Sequence, residues 1–94
     1  MAHELDFSEQ GQAEWDGADG SIKKLFRQAL KKRLEQPRVP GSKLDGHPDL
    51  YKIKLRKEGY RLLYQVFDKK LVVMVVGVAR RDGIYDDLLA RIQP

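Results

Sequence analysis

The residues of this 94-residue chain best suited to chemistry are basic side chains on two segments in which polar and apolar residues alternate. Lys52, Lys54 and Arg56 alternate with apolar residues, and residues two apart in a strand lie on the same face of a sheet. Arg61 falls on that face if the next segment pairs back across a turn. A sheet face with several cations and few acids suits a polyanion such as an RNA backbone, although an ordinary solvated sheet face has the same pattern.

The formal net charge of +4 hides an uneven distribution of charge along the chain. Residues 1–19 contain six acids and no Lys or Arg, whereas residues 22–34 contain six bases and no acid. Residues 52–81 contain nine bases and two acids, and residues 82–94 carry a charge of −2. The basic residues are therefore concentrated in two blocks, which is more informative about a partner than the total.

Apolar periodicity predicts the elements that position these blocks. Spacings of three and four predict an amphipathic helix from a cap at Asp19 or Ser21 to about Gln36. The other predicted elements are a strand near residues 3–7, a helix around residues 10–16, and strands at 51–56, 60–66 and 71–79. A closing helix is predicted to carry Ile84, Tyr85, Leu88, Leu89 and Ile92. We therefore expect an α+β fold with a small, largely antiparallel four-stranded sheet, two N-terminal helices and a short C-terminal helix.

Composition excludes several classes of protein. The chain has no cysteine, which rules out a disulfide scaffold, a thiolate zinc site and a cysteine nucleophile. The acidic start has no apolar stretch like that of a signal peptide, and the longest apolar run, residues 71–79, is about half of what a membrane helix needs. His3 and His47 are far apart in sequence, and no acid or histidine spacing suggests a metal site. We predict one cytoplasmic domain over residues 1–94 that needs no cofactor and has no membrane partner.

A longer stretch carries a family resemblance. Residues 43–82 read KLDGHPDLYKIKLRKEGYRLLYQVFDKKLVVMVVGVARRD. This stretch closely resembles the RelE family of toxins from toxin–antitoxin systems, which are ribosome-dependent mRNA endonucleases. The N-terminal LDF, Trp15 and a basic helix ending in ExPR extend the similarity over almost the whole chain. The resemblance implies a RelE-like fold of the microbial-ribonuclease type.

The resemblance also implies a reaction and the residues that perform it. The toxin would enter the ribosomal A site and cleave mRNA without a metal, with the 2′-hydroxyl as nucleophile and a 2′,3′-cyclic phosphate as product. The catalytic residues carried over by motif are Lys52, Lys54, Arg61, Arg81 and Tyr85. Neighbouring cations disfavour a further positive charge on a lysine, which fits Lys54 for the role of base. Arg61 would grip the phosphate through its planar fork, with help from Lys52, and Arg81 would stabilise the leaving oxygen.

Tyr85 has two interpretations. It would stack on a base or orient the nucleophile if it is catalytic. It also falls at helical spacing from Leu88, Leu89 and Ile92, which is the pattern of a side chain packed in the core.

The expected partners are a RelB-like antitoxin protein, the 70S ribosome with its rRNA, and the mRNA substrate. The candidate RNA- and ribosome-binding residues are Lys23, Lys24, Arg27, Lys31 and Lys32 on the basic helix, together with Arg56 and Arg80. A solvated face of an amphipathic helix explains the helix bases equally well. Two other functions stay open: a non-enzymatic toxin of the same superfamily that binds DNA gyrase, and a catalytically silent RNA-binding module.

Overall fold

The structure is a computed structural model and describes residues 2–80, in which two helices pack on one face of a four-stranded sheet. The elements are β1 (Glu4–Phe7), α1 (Glu9–Asp16), α2 (Gly20–Glu35), a single 3₁₀ turn (Pro40–Ser42), β2 (Leu50–Leu55), β3 (Tyr60–Phe67) and β4 (Val72–Arg80). The predicted closing helix lies outside the described residues. Neither helix within residues 2–80 has the length and apolar character needed to span a bilayer.

The strands lie in the order β1-β4-β3-β2. β2 pairs with β3 and β3 with β4 in antiparallel fashion, as expected for strands joined by tight turns. β1 pairs with β4 in parallel, with Glu4 opposite Val72. The sheet is therefore mixed, and the prediction of a largely antiparallel sheet was wrong. Both helices lie between β1 and the rest of the sheet in sequence, so no hairpin turn dictates the direction of β1.

The core forms between α2 and one face of the sheet. Ile22, Phe26 and Leu30 recur every four residues, so they lie on one side of α2, and all three are buried. They pack in one cluster with Trp15 of α1 and with sheet residues that include Leu62 of β3. The predicted amphipathic helix is confirmed: four of its six basic residues are exposed, whereas Lys23 and Arg33 are half-buried.

A β-bulge in β4 sets which side chains face the core. Leu63 of β3 pairs with Gly77, but Tyr64 pairs with Val75, so Val76 is the extra residue. Val75 and Val78 consequently both join the core cluster, although their numbers differ by three. The alternation of faces is therefore shifted by one residue after the bulge.

α1 lies directly against this irregular part of β4. The Ser8 backbone N–H donates to the Val75 carbonyl (3.0 Å), and the Ser8 hydroxyl caps α1 by accepting from the Gly11 N–H (3.1 Å). The Glu14 carboxylate accepts from the Val78 N–H (3.0 Å) just beyond the bulge. A Cβ atom at Gly11 would overlap the carbonyl oxygen of Val75. The close approach of helix and strand therefore requires glycine at position 11.

We expect Gly11→Ala to lower the free energy of unfolding by about 3 kcal/mol, because α1 must move off β4 and strain or break these hydrogen bonds. Urea denaturation of both proteins measures this difference. Gly20→Ala is the matched control, since a Cβ there meets no atom within 4 Å and alanine is the better helix former. Equal destabilisation by the two substitutions would contradict the packing argument.

Candidate active site

The register of β2 and β3 places two cations side by side. Lys54 lies directly opposite Arg61, and Lys52 lies opposite Leu63. Opposed residues of an antiparallel pair share a face and have Cβ atoms about 5 Å apart. Lys52, Lys54 and Arg61 therefore form one surface, here named the cationic face, on the side of the sheet away from α2. Like charges directly opposite each other are unfavourable, so this pair costs stability unless an anion lies between them.

Lys52 and Lys54 form no salt bridge with another residue of the described part of the chain. Lys54 is exposed, while Lys52 and Arg61 are half-buried. The Arg61 Nη1 donates to the Tyr60 carbonyl (2.9 Å), which holds one terminal nitrogen of the guanidinium against β3. Within residues 2–80 the recorded salt bridges join other residues, namely His3, Arg38, Asp49 and Asp68. The charge of Lys52 and Lys54 thus remains available to an anion from outside.

A cleft of about 310 Å³ adjoins the cationic face at the outer edge of β2. The residues that line this edge cleft are Arg33, Gly41, Ser42, Lys52, Lys54 and Arg56. Arg33 lines this cleft but was not predicted as a site residue, because it was counted only as one of the six bases of residues 22–34. Its signal was a cation on the apolar stripe, four residues after Ala29 and three after Leu30.

A separate network of hydrogen bonds and salt bridges stabilises the end of the β2–β3 hairpin that lies away from its turn. Arg38 donates to Asp49 (2.9 Å), to Asp68 (3.0 Å) and to the Tyr51 hydroxyl (3.4 Å). These bonds raise the pKa of Arg38, and the Arg38 bond, with a smaller effect from His3, lowers the pKa of Asp68. His3 Nε2 lies 3.2 Å from Asp68 Oδ1, so this histidine is bound in a structural network at a distance from Lys54.

No cluster of three His, Cys, Asp or Glu residues that could hold a metal ion occurs in residues 2–80. His3 lies in the Arg38 network, and the His47 backbone belongs to the turns that lead into β2, where its N–H donates to the Leu44 carbonyl (3.2 Å). A histidine pair for acid–base catalysis is therefore not assembled by the described part of the chain.

Sequence and structure comparisons agree with this geometry. A family model described as the ParE toxin of type II toxin–antitoxin systems matches residues 5–85. The mRNA interferase toxin RelE of Escherichia coli K12 is 44% identical over 98% of this chain and 99% of that protein. The chain belongs to the RelE/ParE family of type II toxins. A variant of E. coli RelE with two arginines replaced by alanine, solved in the free state, has a TM-score of 0.89 at 42% identity and covers 99% of this chain and 100% of its own.

A second solved relative bears on partners. The intact E. coli RelBE toxin–antitoxin complex matches with a TM-score of 0.81 at 44% identity, covering 86% of this chain and 99% of the matched chain. The helices and mixed sheet of residues 2–80 are therefore the architecture of RelE proteins.

In this RelE/ParE-family chain Arg80 is separated from the cationic face. Arg80 lies opposite Tyr60 in the β3–β4 register, so it shares the face that α2 covers. Its Nε donates to the Tyr60 hydroxyl (3.2 Å), its guanidinium lies 5.3 Å from the Tyr60 ring centre, and this bond raises its pKa. Arg61 lies opposite Ala79, on the other side of the sheet. The structure thus does not bring Arg80 and Arg61 together.

The bases predicted to contact the ribosome also lie away from the cationic face, because α2 packs on the opposite side of the sheet. Lys24, Arg27 and Lys31 line a largely apolar groove of about 360 Å³ with Leu5 and Leu34. Arg27 lies over the Trp15 ring at 5.7 Å. Lys32 is exposed, and Lys23 is half-buried. The helix bases therefore form a second surface rather than an extension of the candidate active site.

Two predicted catalytic residues, Arg81 and Tyr85, lie outside the described residues. Arg81 directly follows Arg80, the last residue of β4, and both positions fall within the stretch that the family model matches.

Proposed function

We propose that this chain is the toxin of a toxin–antitoxin pair and acts as an endoribonuclease that cleaves mRNA in the ribosomal A site. The observation that carries the proposal is the cross-strand pair of Lys54 and Arg61, with Lys52 beside it on the same face of the sheet. A phosphodiester is the anion that fits such a surface. Because the chain is 44% identical to an mRNA interferase, we infer that this surface cleaves RNA rather than only binding it.

The reaction assigned to this surface needs three functions around one phosphate. Lys54 accepts the proton of the 2′-hydroxyl, whose oxygen then bonds to phosphorus. Arg61 and Lys52 stabilise the charge that develops on the phosphoryl oxygens. The bond from phosphorus to the 5′-oxygen breaks, and this oxygen takes a proton from solvent water, which leaves a 2′,3′-cyclic phosphate and a 5′-hydroxyl. We assign Arg81 to the leaving oxygen and Tyr85 to the orientation of the substrate, with the predicted C-terminal helix carrying Tyr85.

The remaining parts of the proposal concern setting and control. A RelB-like antitoxin would keep the toxin inactive. In the E. coli RelBE complex the related toxin is bound to such an antitoxin. The helix bases, from Lys23 to Lys32, are proposed to contact ribosomal RNA. The place of action is the cytoplasm, where ribosomes translate, and residues 1–94 act as one domain without a cofactor.

Primer extension on mRNA bound to programmed ribosomes tests the proposed function. We expect the wild-type protein to produce a single break within the A-site codon, and the 5′ fragment to end in a cyclic phosphate that acid opens. A supercoiling assay with DNA gyrase is run in parallel, because the matched family model describes ParE toxins. Inhibition of supercoiling without any break in the message would replace this function by the gyrase-binding one, and ribosome binding without a break would indicate a silent RNA-binding module.

A further inference from the structure

Arg33 in the edge cleft is held in place by the core. Its Nη1 donates to the Tyr64 hydroxyl (2.9 Å) and to the Lys52 carbonyl (3.4 Å), and its Nη2 donates to the Ser42 hydroxyl (3.2 Å). The guanidinium also lies 5.7 Å from the centre of the Tyr64 ring. These contacts join α2, the 3₁₀ turn and two strands at one cation.

The tyrosine that anchors Arg33 is itself fixed. Tyr64 is fully buried, its hydroxyl donates to the Pro37 carbonyl (2.6 Å), and its ring stacks on Tyr51 with centres 5.6 Å apart. Burial raises the pKa of Tyr64, so it remains a neutral phenol beside the guanidinium. Arg33 is therefore pre-organised, and an anion that binds to it need not order a flexible side chain.

Arg33 still has hydrogen-bonding capacity. A guanidinium carries five N–H groups, and three hydrogen bonds from Arg33 are formed within residues 2–80. The Nε–H and one Nη2–H have no partner in that part of the chain. The other side chains of the edge cleft are cations or neutral groups, with no acid among them. Such a cleft binds anions through charge and through the remaining N–H groups of Arg33.

The edge cleft is continuous with the cationic face, because Lys52 and Lys54 belong to both. Residues two apart in a strand are about 6.7 Å apart, which is close to the spacing of consecutive phosphates in an extended nucleic-acid strand. We propose that the edge cleft binds a backbone phosphate of the message adjacent to the reacting one, with Arg33 as its principal ligand. This inference rests on the proposed function and adds to it a site that positions the substrate.

The proposal is tested with Arg33→Gln, which removes the charge but keeps an amide donor for Tyr64. Cleavage of ribosome-bound message is measured as a function of toxin concentration. We expect the half-saturating concentration to rise about 10-fold and the slope of its logarithm against log salt to decrease by about 0.7, as for one lost phosphate contact. The cleavage rate at saturation should change less than about twofold, because Arg33 does not touch the reacting atoms.

Two control variants separate binding from folding and from total charge. Lys69→Gln removes the same charge from the exposed β3–β4 turn, outside the edge cleft, and is expected to leave all three quantities unchanged. Arg33→Lys keeps the charge but lacks the planar guanidinium. We therefore expect its salt slope to be close to that of the wild-type protein, while its half-saturating concentration remains raised. An unchanged half-saturating concentration in Arg33→Gln overturns the proposal.

A chemical change in the message identifies the phosphate without relying on a protein variant. Synthetic messages carry a neutral methylphosphonate at the linkage on either side of the scissile one. For one of these messages we expect the half-saturating concentration of the wild-type protein to rise about 10-fold. The half-saturating concentration of Arg33→Gln should be the same for this message as for the unmodified one. The proposal fails if neither methylphosphonate changes the half-saturating concentration. It also fails if the increase caused by the methylphosphonate and the increase caused by Arg33→Gln multiply, because Arg33 then contacts no message phosphate. Wild-type protein that leaves every message intact overturns the proposed function instead.

Discussion

Replacing Arg61 by alanine is expected to slow cleavage of ribosome-bound mRNA by about 10²- to 10³-fold, which is the usual effect of removing one pre-organised donor to a transition state. Arg61 is placed for this role by the β2–β3 register, opposite Lys54, and by the bond of its guanidinium to the Tyr60 carbonyl. Charge on the phosphoryl oxygens is greatest in the transition state, so the loss should appear in the rate at saturating toxin.

Single-turnover cleavage on programmed ribosomes measures this rate. Lys69→Ala is the control for loss of one cation, because Lys69 lies in the exposed turn at the opposite end of the hairpin. Arg61→Lys should recover part of the rate, since a point charge lacks the planar fork. Loss of the bond to Tyr60 and relief of the repulsion from Lys54 oppose each other, so urea denaturation should show a change of about 1 kcal/mol or less in the free energy of unfolding. If a double variant with Arg61→Ala and Arg81→Ala keeps full activity, the proposed site is wrong.

The cationic face was predictable because a strand has the simple period of two. Once the turn between Leu55 and Tyr60 is located, Lys54 and Arg61 must share a face, since their neighbours Ile53 and Leu62 are needed in the core. The same reasoning predicted α2 from its apolar spacing. Both results depend only on residues that are close in sequence.

Features that depend on distant pairing could not be predicted. The four residues of β1 carry no mark of their partner, and their parallel pairing with β4 joins segments almost seventy residues apart. Alternation does not locate the bulge at Val76, because its neighbours in that strand are apolar, and the only local sign of it is the glycine inside the strand, Gly77. Its consequence is large: it puts Arg80 on the same face of the sheet as Tyr60 rather than on the face of Arg61.

Arg33 shows a different limit of sequence reasoning. Helical periodicity assigns it to the apolar stripe, whereas its charge assigns it to the surface, and the sequence alone does not decide between the two. The structure satisfies both tendencies, because the stem follows the stripe while the guanidinium reaches the Tyr64 hydroxyl and the rim of the edge cleft. A cation on an apolar stripe is therefore a better indicator of a site than any of the exposed lysines around it.

The second large effect concerns the ribosome. We expect the wild-type protein to cleave ribosome-bound message at least about 10⁵-fold faster than the same message free in solution, when equal concentrations are compared. The described site offers lysine and arginine side chains, while His3 is held by Asp68 at the other end of the hairpin. General acid–base catalysis contributes only about 10²- to 10⁴-fold even with well-matched groups. A surface without such groups must obtain more of its rate from the alignment of the 2′-hydroxyl with the scissile phosphate.

The comparison uses one message, with and without ribosomes, and follows the cyclic-phosphate product by gel. A free message samples many backbone geometries, and the toxin must select the in-line one during each encounter. A ribosome that holds the A-site codon in that geometry removes this entropic cost before the toxin binds. Arg61→Ala should then lower both rates by a similar factor, because it acts on the phosphate in either substrate. A free message cleaved as fast as the bound one would mean that Lys54 and Arg61 suffice for catalysis, and that the basic face of α2 has another partner.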